Sequence, residues 1–97
     1  MKEIDVLGQL WQVIDDRFAN PRPGSYIAGL AADAKGIDRI LEKVGEEATE
    51  FIISVKNKDP DRIISEAADL QFHLLVALRA AGISYSDLLD ELSARRR

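Results

Sequence analysis

The sequence predicts an all-α domain of about five helices, in which the third and fourth form a central antiparallel hairpin within a dimeric helical bundle. Three observations predict it. Apolar residues recur at three- and four-residue steps along most of the chain, no stretch of useful length alternates apolar with polar residues, and the three prolines and six glycines fall mostly between the periodic stretches. At 97 residues the chain has the length of one domain, 1–97, with one modest core and no internal repeat or low-complexity segment.

The first helix, about Glu3 to Ala19, aligns Ile4, Leu7, Leu10, Trp11, Ile14 and Phe18 on one face. Asn20-Pro21-Arg22-Pro23-Gly24 stops it, because two prolines and a glycine oppose helix continuation. Ser25 offers an N-cap hydroxyl for a short second helix through about Ala34, which Gly36 can close. The third, about Ile37 to Lys56, is expected to bury Ile37, Ile40, Leu41, Val44, Ala48, Phe51, Ile52 and Val55 on one side. Asn57 and Lys58 break it, and Asp59-Pro60 restarts the chain with an N-cap carboxylate and a proline at the first helical position. The fourth helix runs to about Ala81, ends at Gly82, and is apolar nearly all round from Ala67 onward. A helix of that kind is buried on more than one side. Five helices supply too little cover, so an identical subunit related by a two-fold axis is expected. Ser84 with Asp87 three residues later starts the last helix, through about Ala94, and the terminal Arg95-Arg96-Arg97 is expected to be frayed or solvated.

Composition removes several classes of function. Absence of cysteine excludes disulfide scaffolds, zinc–thiolate and iron–sulfur sites and thiol nucleophiles, and a single histidine excludes a His-rich metal site. Thirteen Lys and Arg against 17 Asp and Glu give a formal charge of −4, which argues against a nucleic-acid backbone binder. Charges at Met1-Lys2-Glu3-Ile4-Asp5 stand where a signal peptide needs an apolar core, and no apolar run approaches the roughly 20 residues that span a bilayer. The expectation is a soluble, cytoplasmic domain.

Carboxylates stand where a helical hairpin should have its core. Glu46, Glu47 and Glu50 share about a quarter-turn of the third helix, and Glu66, Asp69 and His73 cluster likewise on the fourth. The loop between them is centred near Lys58, so residues equidistant from it lie at the same height: Glu50 with Glu66, Glu47 with Asp69, Lys43 with His73. Four acids facing one another repel unless protons or a cation intervene. Two plain alternatives stand beside a metal site: surface ion pairs with Lys43, Arg39 or Arg62, or helices rotated so that the acids point apart. An all-oxygen donor set suits a hard divalent cation, magnesium before iron or zinc, and such a pocket with basic residues at its rim fits a polyphosphate substrate. Lys43 and Arg22 are candidate phosphate contacts, each with the alternative of an ordinary surface charge. His73 either contacts substrate or is a hydrogen-bonded core residue.

Glu46-Glu47-x-x-Glu50, fifteen intervening residues and then Glu66-x-x-Asp69 resembles the signature of the all-α, MazG-like nucleotide pyrophosphohydrolases. Gly24-Ser25-Tyr26, Lys43-Val44-Gly45-Glu46-Glu47-Ala48-Thr49-Glu50, the run from Glu66 to Val76 and the Leu92-to-Arg95 ending narrow the resemblance to the phosphoribosyl-ATP pyrophosphohydrolase family of histidine biosynthesis. It covers about Leu10 to Arg95. The resemblance implies hydrolysis of phosphoribosyl-ATP to phosphoribosyl-AMP and pyrophosphate by a helical homodimer, with magnesium as cofactor or manganese in its place. It implies metal ligation by Glu47, Glu50, Glu66 and Asp69, which leaves Glu46 as a candidate for orienting the attacking water or holding a further metal ion; Glu46 and Glu47 are the catalytic candidates, and Arg22, Ser25, Tyr26, Lys43, His73 and Arg95 the candidates for substrate binding. The chain departs from the family pattern at Ile27, where threonine is usual, at Glu42, where a second lysine is common, and at Phe72, often tyrosine. The cyclohydrolase domain often fused to this enzyme is not among the 97 residues, so the next pathway step is expected on another chain. The rival readings are a house-cleaning pyrophosphohydrolase of other nucleoside triphosphates, against which His73 and Ser25-Tyr26 weigh, and a non-catalytic helical dimerisation module with solvated acids. Setting the five motif acids aside leaves 12 acids against 13 basic residues, so the net charge is expected to reside in one cleft.

Overall fold

The computed structural model describes residues 5–96, which form five helices: α1 (Val6–Ala19), α2 (Tyr26–Ala31), α3 (Ile37–Lys56), α4 (Pro60–Ala80) and α5 (Tyr85–Ala94). No strand occurs among the described residues. The expected start of α1 at Glu3, with Ile4 on its stripe, lies outside them. Within them, Asp5 caps α1 by accepting from the Gly8 backbone N–H at 2.9 Å. Gly8 leaves room for this cap, since a Cβ there would sit 2.5 Å from an Asp5 carboxylate oxygen and the exposed Asp5 side chain would have to shift.

The hairpin of α3 and α4 is the frame of the molecule, and its three-residue connection closes both helices. Lys58 takes a left-handed backbone, φ +57°, so its N–H reaches the Val55 carbonyl at 3.1 Å and the Asp59 N–H reaches that of Ser54 at 3.4 Å. This Schellman arrangement satisfies carbonyls that the end of α3 would otherwise leave without partners. Asp59 then turns its carboxylate to the Arg62 N–H and caps α4, with Pro60 at the first helical position. Gly82, φ +78°, ends α4 by the same device, its N–H bonding Arg79 and that of Ile83 bonding Leu78.

The loop before α2 is a type II turn, with Pro23 and Gly24 (φ +82°) at its centre and Ser25 N–H donating to the Arg22 carbonyl at 3.1 Å. The Ser25 hydroxyl caps α2 as predicted, accepting from Ala28 N–H. That helix ends at Ala31 rather than Ala34. Asp33 redirects the chain by accepting from the Lys35 and Gly36 N–H groups with its carboxylate and carbonyl respectively.

Helices α1 and α2 pack over one end of the hairpin, away from its loop, and with it bury Ile14, Ile27, Leu30, Ile40, Leu75 and Val76. An Arg79–Asp15 ion pair at 2.7 Å and the Arg79 guanidinium 5.0 Å from the Phe18 ring centre tie α4 to α1. The loop end is bare. Of the stripe expected to be buried on α3, Ile40 is, and Val44, Ala48 and Phe51 are partly so; Ile37, Leu41, Ile52 and Val55 are exposed. The expectation fails for those four because α1 and α2 are too short to cover twenty residues of α3. Glu47 and Ser54 are buried on α3 instead.

Replacing Lys58 with glycine removes the steric penalty of the left-handed backbone and returns part of the gain to unfolded-chain entropy. The expected net stabilisation is about 0.5–1 kcal/mol, read as a rise of about 2–8 °C in the thermal midpoint.

Candidate metal centre and active site

Where the cover of α1 and α2 gives out, α3 and α4 face each other through acids rather than aliphatic side chains. One carboxylate oxygen from each of Glu47, Glu66 and Asp69 falls within a group no more than 4.8 Å across. Asp69 is at the open side; Glu47 and Glu66 are 8% and 6% exposed. Both are half-satisfied in the same way. Glu47 Oε1 meets Lys43 Nζ at 3.5 Å and Glu66 Oε1 meets Arg62 Nη2 at 3.1 Å, whereas the second oxygen of each is buried with no hydrogen-bond partner.

An ionised carboxylate oxygen left without a donor inside a protein is costly. Burial, then the charge of Glu50, then the closeness of Glu47 push Glu66 above its ordinary value, with Arg62 opposing. Lys43 is likewise pushed above its ordinary value: its hydrogen bond to Glu46, at 3.0 Å, favours the ammonium, as do the neighbouring Tyr26 and Glu47, with burial opposing. The donor set fits a hard divalent cation. All three donors are carboxylate oxygens, two have an unused buried lone-pair face, and two oxygens on one magnesium lie at most about 4.2 Å apart, twice the metal–oxygen distance.

The remaining predicted site residues divide. Glu50 is exposed and outside the three-acid group, although its charge reaches Glu66. Glu46 is exposed and shares Lys43 with Glu47. The ion-pair alternative is therefore realised at the rim through Lys43 and Arg62, but not at the two orphaned oxygens. Tyr26 Oη lies 2.8 Å from His73 Nε2, and His73, 5% exposed, places Nδ1 2.8 Å from the Asp69 carbonyl. His73 thus has both ring nitrogens engaged within the chain and meets the description of a hydrogen-bonded core residue. The Ser25 hydroxyl is engaged in its cap. Arg22 is exposed on the Pro21–Gly24 loop, lining a shallow depression with Gly29 and Ala32 and making no ion pair to a described residue. Arg95 is exposed at the end of α5 and pairs with Glu91 at 2.8 Å rather than with the acids.

Residues 7–96 match the sequence profile described as phosphoribosyl-ATP pyrophosphohydrolase. The chain belongs to this family. Proteins named phosphoribosyl-ATP pyrophosphatase are similar to it along most or all of their length. That of Methanoculleus marisnigri is 55% identical over 97 residues, covering 100% of both chains. That of Methanosphaerula palustris is 57% identical, covering 100% of this chain and 98% of the relative. A third, from Methanoregula boonei, is 53% identical over 95 residues, covering 98% of this chain and 91% of the relative. Family membership agrees with the all-α fold and with the paired acidic motifs facing each other across the hairpin.

The raised position of Glu66 has a signed consequence for the metal-free protein. Below its ordinary value of 4.5 the folded and unfolded chains both hold the proton. As pH rises the unfolded chain releases it first, so stability falls through the window up to the raised value and is not regained above it. Glu66→Gln removes this loss. In EDTA, the thermal midpoint of the variant should gain on the wild type as pH rises above 4.5. With a divalent cation added, the wild type should rise and the variant should not.

Proposed function

We propose that this chain hydrolyses phosphoribosyl-ATP to phosphoribosyl-AMP and pyrophosphate, the second step of histidine biosynthesis, as a magnesium-dependent, cytoplasmic homodimer. The observation that carries the reading is the facing set of Glu47, Glu66 and Asp69, with two orphaned buried oxygens, in a chain matching this family along nearly its whole length. The named activity of the relatives supplies the substrate.

Glu47, Glu66 and Asp69 would hold the ion, and Glu50, one turn from Glu47, would join them on a small side-chain movement. When bound, magnesium supplies Lewis-acid stabilisation of charge on the phosphate oxygens. Lys43 supports the same task from the rim: its ammonium, kept charged by Glu46 and Glu47, offers a further donor to a phosphate oxygen. Glu46 is exposed beside the ligand set and has only Lys43 as partner among the described residues, which suits it to orient the attacking water and accept its proton. The water's oxygen joins one of the two phosphorus atoms of the α–β linkage, the bond from that phosphorus to the bridging oxygen breaks, the bridging oxygen leaves on the other phosphate, and the water's proton passes to base or solvent. Arg22, on the turn before α2, is a candidate partner for the outer phosphates.

The homodimer has physical support in what one chain leaves open. Its accessible surface is 6990 Å², against about 5500 Å² expected of a compact monomer of this mass. Its radius of gyration is 14.7 Å, where about 13 Å is usual for 100 residues. Ile52 and Ile64 at the loop end are 60% and 69% exposed, and Leu41, Leu74, Leu88 and Leu92 line an apolar groove between α3, α4 and α5. A second copy would cover such surface. No helix among the described residues is long and apolar enough to cross a membrane.

Incubation with phosphoribosyl-ATP and with a panel of nucleoside triphosphates, in Mg²⁺ or in EDTA, tests the assignment. Pyrophosphate should appear from phosphoribosyl-ATP alone and only with the metal; release from ordinary triphosphates would favour a house-cleaning enzyme instead. Glu47→Gln should lower turnover by on the order of a hundredfold while leaving circular dichroism and the sedimentation coefficient unchanged. Near-normal turnover would remove Glu47 from the ligand set.

A further inference from the structure

All six aromatic side chains of the chain lie among the described residues, and five of them are largely covered. Tyr26 is the exception. It is 52% exposed, and it is exposed the wrong way round. A surface tyrosine ordinarily buries its ring and leaves its hydroxyl wet. Here the hydroxyl is drawn inward to His73, and the ring is what solvent reaches.

The hydrogen-bond network fixes this orientation. A carbonyl oxygen can only accept, so His73 Nδ1, 2.8 Å from the Asp69 carbonyl, carries the hydrogen. In the neutral imidazole Nε2 then has a free lone pair, and the Tyr26 O–H donates to it. Phe72 braces the ring from one side, with centroids 6.1 Å apart and planes at 27°. His73 meets the ring edge-on, with centroids 5.8 Å apart. A ring anchored at its tip and braced on one side has little rotamer freedom left to lose on binding.

Its place in the molecule matters equally. A chain of short contacts joins Tyr26 to the acids: the hydroxyl meets His73, and His73 meets the Asp69 backbone. Across the site Lys43 lies 3.5 Å from Glu47. The exposed ring is therefore linked, through His73, to the residue that supplies one of the three carboxylates.

We propose that the outward face of Tyr26 is the stacking platform for the planar base of the nucleotide, and that His73 is the positioning residue that holds it there. This rests on the nucleotide substrate proposed above, and adds which part of that substrate the α2 end receives. A π-face recognises a flat heterocycle rather than a phosphate, so the two halves of the substrate should separate experimentally.

The two products make the separation, titrated calorimetrically in Mg²⁺ against the full-length protein. Phosphoribosyl-AMP carries the base and pyrophosphate does not. Tyr26→Leu should weaken phosphoribosyl-AMP roughly tenfold and leave pyrophosphate binding within about twofold, with Tyr26→Phe, which keeps the ring but loses its anchor on His73, falling between Tyr26→Leu and the wild type. His73→Leu should weaken phosphoribosyl-AMP in the same selective manner. His73→Gln, whose amide oxygen can accept the Tyr26 proton, should recover much of it. In turnover, KM for phosphoribosyl-ATP should rise more than kcat falls. Equal weakening of both products would overturn the proposal, as would an unchanged phosphoribosyl-AMP affinity in Tyr26→Leu. A shift in sedimentation of Tyr26→Leu with product affinities intact would likewise overturn it, because a second copy, and not the base, would then cover the ring. Tyr26 is exposed, so its leucine variant tests the platform even if a His73 variant fails to fold. Absence of wild-type turnover with phosphoribosyl-ATP would instead count against the substrate assignment.

Discussion

Two carboxylates from neighbouring helices are buried against each other between α3 and α4, and much of the molecule can be understood from that constraint. Like charges in a poorly hydrated place raise the energy of the folded chain unless something positive comes between them. The chain goes part of the way. Lys43 and Arg62 each neutralise one oxygen from the rim, where the Arg62 side chain is still 59% exposed and the pair is correspondingly weak. The two inner oxygens have no donor. What the apolar core of α1, α2 and the far end of the hairpin contributes is therefore spent in part on holding an arrangement that repels itself, which is common where a protein keeps a site ready for a ligand.

Local chemistry made most of the fold readable. Helix α3 spans the predicted residues because nothing within it breaks the periodicity and both its ends are marked. Ser25, Asp59 and Ser84 each cap the helix they precede, since a short oxygen-bearing side chain before a periodic run has few other uses. Asp5 was the cap that pattern reading missed. Its partner is Gly8, and a glycine inside a helical stretch gives no hint that it makes room for a carboxylate. The short α2 was overextended for a similar reason: Ala32 and Ala34 favour helix, and the turn depends on what Asp33 bonds.

The acids were visible because of arithmetic along the hairpin. Counting from Lys58 brings Glu47, Glu66 and Asp69 together without any tertiary information. The same count placed Glu50 level with Glu66, and there its charge does reach Glu66, although Glu50 is exposed and outside the three-acid group. Nor could it pair Tyr26 with His73, forty-seven residues apart on helices of different length. Burial on α3 was legible only as a stripe. Which part of that stripe is covered depends on the lengths of α1 and α2, which are not written in the periodicity of α3.

The three-residue connection between α3 and α4 acts as a ruler. Because Asp59 both completes the closure of one helix and begins the next, the chain has no slack between the two acidic motifs. One residue inserted between Glu50 and Lys58, or between Pro60 and Glu66, would turn every acid beyond it by about 100° and shift it by about 1.5 Å. The helices would survive that change and the carboxylate group would not. For this hairpin the fifteen residues between Glu50 and Glu66 are thus a fixed length, while their identities are comparatively free: spacing, more than composition, is what a functional descendant of this chain must inherit.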